Sequence, residues 1–363
     1  METAKLEITI ERLPGTALPW AAPSFPEEAV TLSSRFTYLL SDAHEKLPGA
    51  EKMLRDFMVE LPAAQREAFE KENAECLLEV HKILFLIYEL YFANPLAPAL
   101  AHEHSPWLLQ VRRLLEESWY KHDLQLIQPE LPAKAALSAD QLCKWFEQQA
   151  RKQSDMDRKV VEFLECQADR EQFAEFILTD GYLNYRFYDA LALAQPHFCE
   201  SVKTEISHHM WDECGCGAGK RAHTQLFSRA LMRLGRTLPE KPIWKDWRPY
   251  AGYNLYFLFG QNRRHYFKAL GSLAMPELFD PERDRAVVNG LERLGYDAKD
   301  DFEYYYSHIE GDEDHGPSWL EQVIRPIAEL QPEAALELAI GGALRMHYMR
   351  LYNKYLAAHF NLK

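Results

Sequence analysis

Two histidines, His308 and His315, bracket a run of acids in the stretch YYYSHIEGDEDHGPSWLEQ, which begins at Tyr304. Placed on a helix at about 100° per residue, His308, Asp312 and His315 share one narrow stripe. Glu310, Glu313 and Asp314 fall on the far side, where charge is solvated. Tyr304, Tyr305, Ile309 and Trp319 flank the stripe, so its His/Asp side is expected to face the interior. Gly311 lies within the same helix, where glycine costs about 1 kcal/mol relative to alanine. That cost predicts close packing, or a helix that must loosen. Buried imidazoles and carboxylates need partners, and a divalent metal is one of them. The plainer alternative is an exposed polar helix face.

Three ligands do not complete an iron or manganese site, so others must come from elsewhere. The segment HHMWDECGCGAGKRAHTQLF starts at His208. In it, Glu213 and His223 flank a glycine-rich break from Gly215 to Gly219. Ten residues of unbroken helix would turn the two side chains about 80° apart. A loop at the glycines frees both to reach one point. Cys214 and Cys216 lie in that loop, but no second Cys or His pair stands at zinc-finger spacing, so they read as incidental thiols. His208 and His209 are adjacent and point apart; at most they support ligands from behind. Glu277, after Pro276 in KALGSLAMPELFDPE, is one acid in an apolar turn and either caps the next helix or holds a cation. Asp189 is the one acid in YRFYDALALAQ, and a hydrogen bond to a neighbouring tyrosine is its ordinary explanation.

The elements that must carry these residues are helices. Apolar residues recur at three and four in AECLLEVHKILFLIYEL and in most later segments. Ser138 with Gln141 suggests a capping box opening LSADQLCKWFEQQARKQ. The opening LEITIERL reads as one short strand, and no period-2 stretch follows it. The expected class is all-α. A composition change near Pro129 to Lys152 suggests a division into residues 1–150 and 151–363.

The chain has 363 residues, 47% of them hydrophobic, and a net charge of −14. Its length suffices for a buried core. Its acidity disfavours nucleic acid and anionic membrane surfaces as partners. The most apolar run, from Ile83, is short and contains Glu89, so it reads as a buried helix. Six scattered cysteines and no basic-then-apolar N-terminal pattern predict a cytoplasmic protein.

The ordered motifs resemble the haem-oxygenase-like diiron oxidases and oxygenases, also called iron-containing redox enzymes. WDExGxG followed by histidine stands as Trp211 to Gly217 and then His223; a lone Glu after a Gly-containing apolar helix stands as Glu277; HxxxDxxH stands as His308, Asp312 and His315. The resemblance covers about residues 155–363. It implies a haem-oxygenase-like helical bundle that holds two Fe(II)/Fe(III) ions and no haem, with O2 as co-substrate. It implies His223, Glu277, His308, Asp312 and His315 as ligands and Glu213 as an extra carboxylate found in members that oxygenate nitrogen. The first-helix carboxylate of the family is best matched by Asp189, shorter than the usual Glu and displaced in spacing. Residues 1–150 lie outside the catalytic match and are expected to serve helical packing and homodimerisation.

These residues suit an iron pair, with carboxylates bridging and balancing charge. The expected activity is O2-dependent oxidation of a small amine or amino-acid-derived substrate, foremost N-oxygenation in a biosynthetic pathway, with an external electron donor as a candidate partner. The competing outcomes are oxidative C–C cleavage, decarboxylation or desaturation of an amino or fatty acid, and a non-catalytic metal-binding helical protein. Arg345 is a candidate to clamp a substrate carboxylate, and Tyr304 to line the pocket.

Overall fold

The computed structural model describes residues 31–41, 49–133, 137–196, 198–239 and 242–362; for residues 155 and 310–314 it describes the backbone alone. The strand expected over Leu6 to Leu13 lies outside the described residues. Among those described, regular structure is helical throughout, as the apolar periodicity requires.

Four helices form the first part: α1 (Leu32–Leu40), α2 (Ala50–Lys71), α3 (Ala74–Leu90) and α4 (Pro106–Ile127). Then come α5 (Ala139–Cys166), α6 (Arg170–Ala194), α7 (Glu200–Glu213), α8 (His223–Arg233) and α9 (Trp247–Gly260). The last part holds α10 (Tyr266–Arg293), the short α11 (Ala298–Asp301), α12 (Glu303–Ser318), α13 (Arg325–Leu330) and α14 (Ala335–His359). A π-helical turn, Trp319–Ile324, joins α12 to α13. The capping box at Ser138 forms as expected: its hydroxyl accepts from the Gln141 N–H at 3.3 Å, and Gln141 Oε1 accepts from the Ser138 N–H at 3.1 Å. The helix that it starts runs on past residue 150, so the expected division falls inside α5.

Helix α10 is the axis of the bundle and packs against α5, α12 and α14. It is one helix although it contains Pro276 and Pro281. The sequence reads as two segments there, because an interior proline costs about 3 kcal/mol. Packing on three sides offsets that cost, and Glu277 therefore sits mid-helix and caps nothing. Where α10 crosses α14, both helices use glycine. A methyl at Gly271 would collide with the Leu338 carbonyl oxygen, and one at Gly341 with the Lys268 carbonyl oxygen. Close backbone approach is what the missing Cβ permits here.

Helices α1–α4 share the hydrophobic core of the rest: one cluster of buried side chains runs from Leu32 to Leu356. Helix α3 meets α9 through His81, which no solvent reaches. Its ring stacks on Trp247 at 5.8 Å and meets Trp119 edge-on at 4.9 Å, while Asn254 donates to its carbonyl at 2.8 Å.

Two outcomes are expected. Gly271→Ala should lower stability by about 2–4 kcal/mol, read from denaturant midpoints, because two backbones must separate. Gly219→Ala, where a Cβ meets nothing within 4 Å, should change it little. Burial pushes the His81 imidazole down to about 3 from 6.5. The unfolded chain takes up a proton below about 6.5 that the folded chain refuses until about 3, so stability falls as pH drops through that window, by about 1.4 kcal/mol per pH unit. The pH dependence of the melting temperature between 6.5 and 4 should be shallower in His81→Phe.

Candidate metal centre

Two groups of metal-ligating side chains face each other inside the bundle. The first is Glu213, His223 and His308; the second is His209, Glu277 and His315. Within each group the ligating atoms all lie within 4.8 Å of one another. The residues come from α7, α8, α10 and α12.

The turn between α7 and α8 builds the first group. Glu213 ends α7 and His223 starts α8. Between them Gly215 and Gly217 take φ of +72° and +82°, a region glycine enters without a steric penalty. A Cβ at Gly215 would also press on the backbone of Arg221 and Ala222, and one at Gly217 on the Trp211 ring. The turn brings His223 Nδ1 to 3.0 Å from Glu213 Oε2. His308 completes the group, its ring centroid 4.5 Å from that of His223. Its Nδ1–H donates to the Tyr304 carbonyl at 2.7 Å. Glu213 is almost wholly buried. Burial alone would raise its pKa, but His223 foremost, with His308 and His209, holds it down at about 2.

The second group is held by the crossing of α10 and α12. A Cβ on Gly316 would lie 2.7 Å from the Glu277 carbonyl oxygen, so glycine at this point lets His315 sit against Glu277. His315 Nδ1 is 3.7 Å from Glu277 Oε2, and its Nε2 is 3.1 Å from Asp212 Oδ2. A carboxylate behind an imidazole orients the ring for a metal on the other nitrogen. His209 Nε2 lies 3.7 Å from Glu277 Oε2 and 3.8 Å from Glu213 Oε1, and so stands between the groups.

Of the residues expected at the site, Glu213, His223, Glu277, His308 and His315 are brought together. The side chain of Asp312 lies outside the described residues; its backbone is in α12 between the two histidines, and the helix runs through Gly311. Asp189 is elsewhere. Arg186 holds its carboxylate at 3.3 Å and reaches Glu89 at 3.2 Å with its other nitrogen. The partner of Asp189 is thus a guanidinium one turn back and not a tyrosine. Helix α6 instead presents Phe187 to the centre, 5.7 Å from the ring of His209. His209, expected at most to support ligands from behind, stands among the ligating side chains. Its spacing of four from Glu213 was the signal, since i and i+4 share a helix face. Cys214 and Cys216 are exposed and belong to neither group.

A cavity reaches the centre through Glu277 and His308, one residue of each group. Arg345 lines it and is 5% exposed, not a surface residue. It donates to the Gly252 carbonyl at 3.2 Å and lies over the Tyr256 ring at 4.6 Å. Its Nε has no hydrogen-bond partner among the described residues. Tyr304 lines the same cavity and packs on His223 and His308.

Residues 175–349 match the family model of iron-containing redox enzymes. Both groups lie inside this stretch, which is similar to that family. The all-α, haem-oxygenase-like fold expected from the motifs is the fold of the family. Among solved structures, a CADD-like protein of unknown function from Nostoc punctiforme PCC 73102 aligns at 18% identity, covering 59% of this chain and 97% of that one, with a TM-score of 0.47. No curated protein matches the chain. Iron is the metal that the family implies, and the donors fit it: imidazoles and carboxylates, without thiolate, in an interior where the acids need a cation.

Asp212→Ala should weaken metal binding at the His315 side about 10–100-fold, leaving the Glu213–His223–His308 side near wild type. Anaerobic Fe(II) titration with a competing chelator reads the two affinities separately.

Proposed function

We propose that this chain is an O2-dependent diiron oxidoreductase that oxygenates the nitrogen of a small amine or amino acid. The observation that carries the reading is that two His/carboxylate groups share one interior and border one cavity through Glu277 and His308. Glu213, His223 and His308 would hold one ion. Glu277, His315 and, by the motif, Asp312 would hold the other. Iron so bound supplies O2 chemistry; the rest falls to the chain.

The cavity supports a substrate with charge at both ends. Arg345 offers a buried guanidinium edge to a carboxylate. Asp180, Asp280 and Asp284 line the cavity with Arg283 among them. Arg283 donates to Asp280 at 3.2 Å, and Tyr352 donates to Asp180. Burial raises the Asp180 pKa, with Arg283 and the Tyr352 hydroxyl opposing the rise. This acidic wall would suit the cationic nitrogen of such a substrate. Tyr253, Tyr256 and Tyr305 line the same space. Glu213 supplies the additional carboxylate associated with nitrogen oxygenation. In this reading the protein is cytoplasmic, takes electrons from an external donor, and uses residues 1–150 for packing and dimerisation.

The test is anaerobic loading with Fe(II), then mixing with O2 across a panel of amines and basic amino acids. The expected results are two irons per chain, substrate-dependent O2 uptake, and intact product carrying label from isotopic O2. Loss of a carbon fragment or of two hydrogens would assign cleavage or desaturation instead. Iron retention with no O2 uptake on any substrate would leave a metal-binding protein. Arg345→Lys should raise KM for a carboxylate-bearing substrate about tenfold or more while changing kcat less, since a bidentate contact is lost.

A further inference from the structure

The hydrogen bond that each imidazole makes decides which of its nitrogens carries the proton, and therefore which is free to bind a metal. His308 Nδ1 faces the Tyr304 carbonyl at 2.7 Å. A carbonyl only accepts, so the proton is on Nδ1 and the lone pair is on Nε2. His315 Nε2 faces the Asp212 carboxylate at 3.1 Å. A carboxylate only accepts, so the proton is on Nε2 and the Nδ1 lone pair faces the side of Glu277. Both rings are set as ligands.

His209 is set the other way. The indole Nε1 of Trp319 lies 3.0 Å from His209 Nδ1. An indole N–H only donates, so Nδ1 must be the acceptor. The proton then sits on Nε2, the nitrogen that lies between Glu213 at 3.8 Å and Glu277 at 3.7 Å. Trp319 is itself fully buried where α12 passes into the π-helical turn, which fixes the donor in place. Proximity groups His209 with Glu277 and His315, but its lone pair points away from them.

We propose that His209 is a positioning residue and not a metal ligand. Trp319 locks its tautomer so that Nε2–H is held between one carboxylate of each group. From there it faces Glu213 Oε1 and Glu277 Oε2, so that one N–H orients a carboxylate of each group. This rests on the reading of the two groups as an iron pair. It goes beyond that reading by assigning a residue outside the family motif, on the helix face opposite Phe187.

Glutamine tests it, because its amide oxygen can accept from Trp319 while its amide nitrogen donates to the carboxylates, yet it is a poor iron ligand. In anaerobic Fe(II) titrations, His209→Gln is expected to bind the same number of irons as wild type with affinity within about threefold. His209→Leu, which removes the donor, should weaken binding about 10–100-fold. A glutamine variant that loses one iron outright would overturn the proposal. Histidine-labelled 15N spectra of the metal-free protein give a second readout, with the His209 signal assigned by its absence from His209→Gln. Protonated Nε2 and hydrogen-bonded, unprotonated Nδ1 support the lock, and Trp319→Phe should relax it to a tautomer mixture. A protonated Nδ1 in wild type would overturn it. If wild type binds fewer than two irons, the diiron reading fails, whereas the tautomer of the metal-free protein still stands or falls on its own spectrum.

Discussion

Glu213 and Glu277 are carboxylates shut away from water, and the surroundings of the site answer to what must neutralise them. A buried carboxylate without compensation loses its charge or destabilises the fold. Here three imidazoles of the two groups and the Nε2–H of His209 face them. Glu213 stays acidic, at about 2, because the histidines around it outweigh its burial. Such an arrangement favours a divalent cation over a proton. It also explains why the donors come from separate segments: one helix cannot surround a charge, and four can.

Bringing those helices close enough falls to small residues at the crossings. Gly316 lets α12 lie on the backbone of Glu277, and the paired glycines Gly271 and Gly341 seat α10 against α14. The left-handed glycines after Glu213 turn the chain so that His223 returns to it. Pro276, which would weaken an isolated helix, is carried by a helix that is packed on three sides. The result is a frame on which the histidines' hydrogen bonds, to Tyr304, Asp212 and Trp319, choose the nitrogen each ring offers. Geometry selects the residues that gather, and donor–acceptor chemistry then sorts them into ligands and supports. The distinction matters most at His209, where distance and tautomer give opposite answers.

The cavity adds the other half of the site. It touches the metal-ligating residues at Glu277 and His308 and extends to Arg345 and the Asp180–Arg283–Asp284 wall. Charge of both signs beside aromatic rings is the feature on which the proposed zwitterionic or cationic substrate rests, because such a ligand would meet each charge with its opposite.

Much of this was legible in the chain itself. Apolar spacing gave an all-α protein, the helical stripe joined His308 to His315, and the glycine break predicted that Glu213 and His223 would meet. Those inferences rest on local periodicity and local turn chemistry, which a sequence carries directly. The rest depended on distant partners. Asp189 reads as a candidate until Arg186, itself tied to Glu89 nearly a hundred residues away, is seen to hold it. His208 and His209 are alike in sequence, yet one side chain is 62% exposed and the other 2%, because only the packing of α7 decides which faces inward. Helix α10 survives its prolines for the same reason. Sequence fixes which groups are able to bind a metal; tertiary contacts decide which nitrogen of each ring is free to do so, because a proton's position follows from whichever donor or acceptor the fold places beside it.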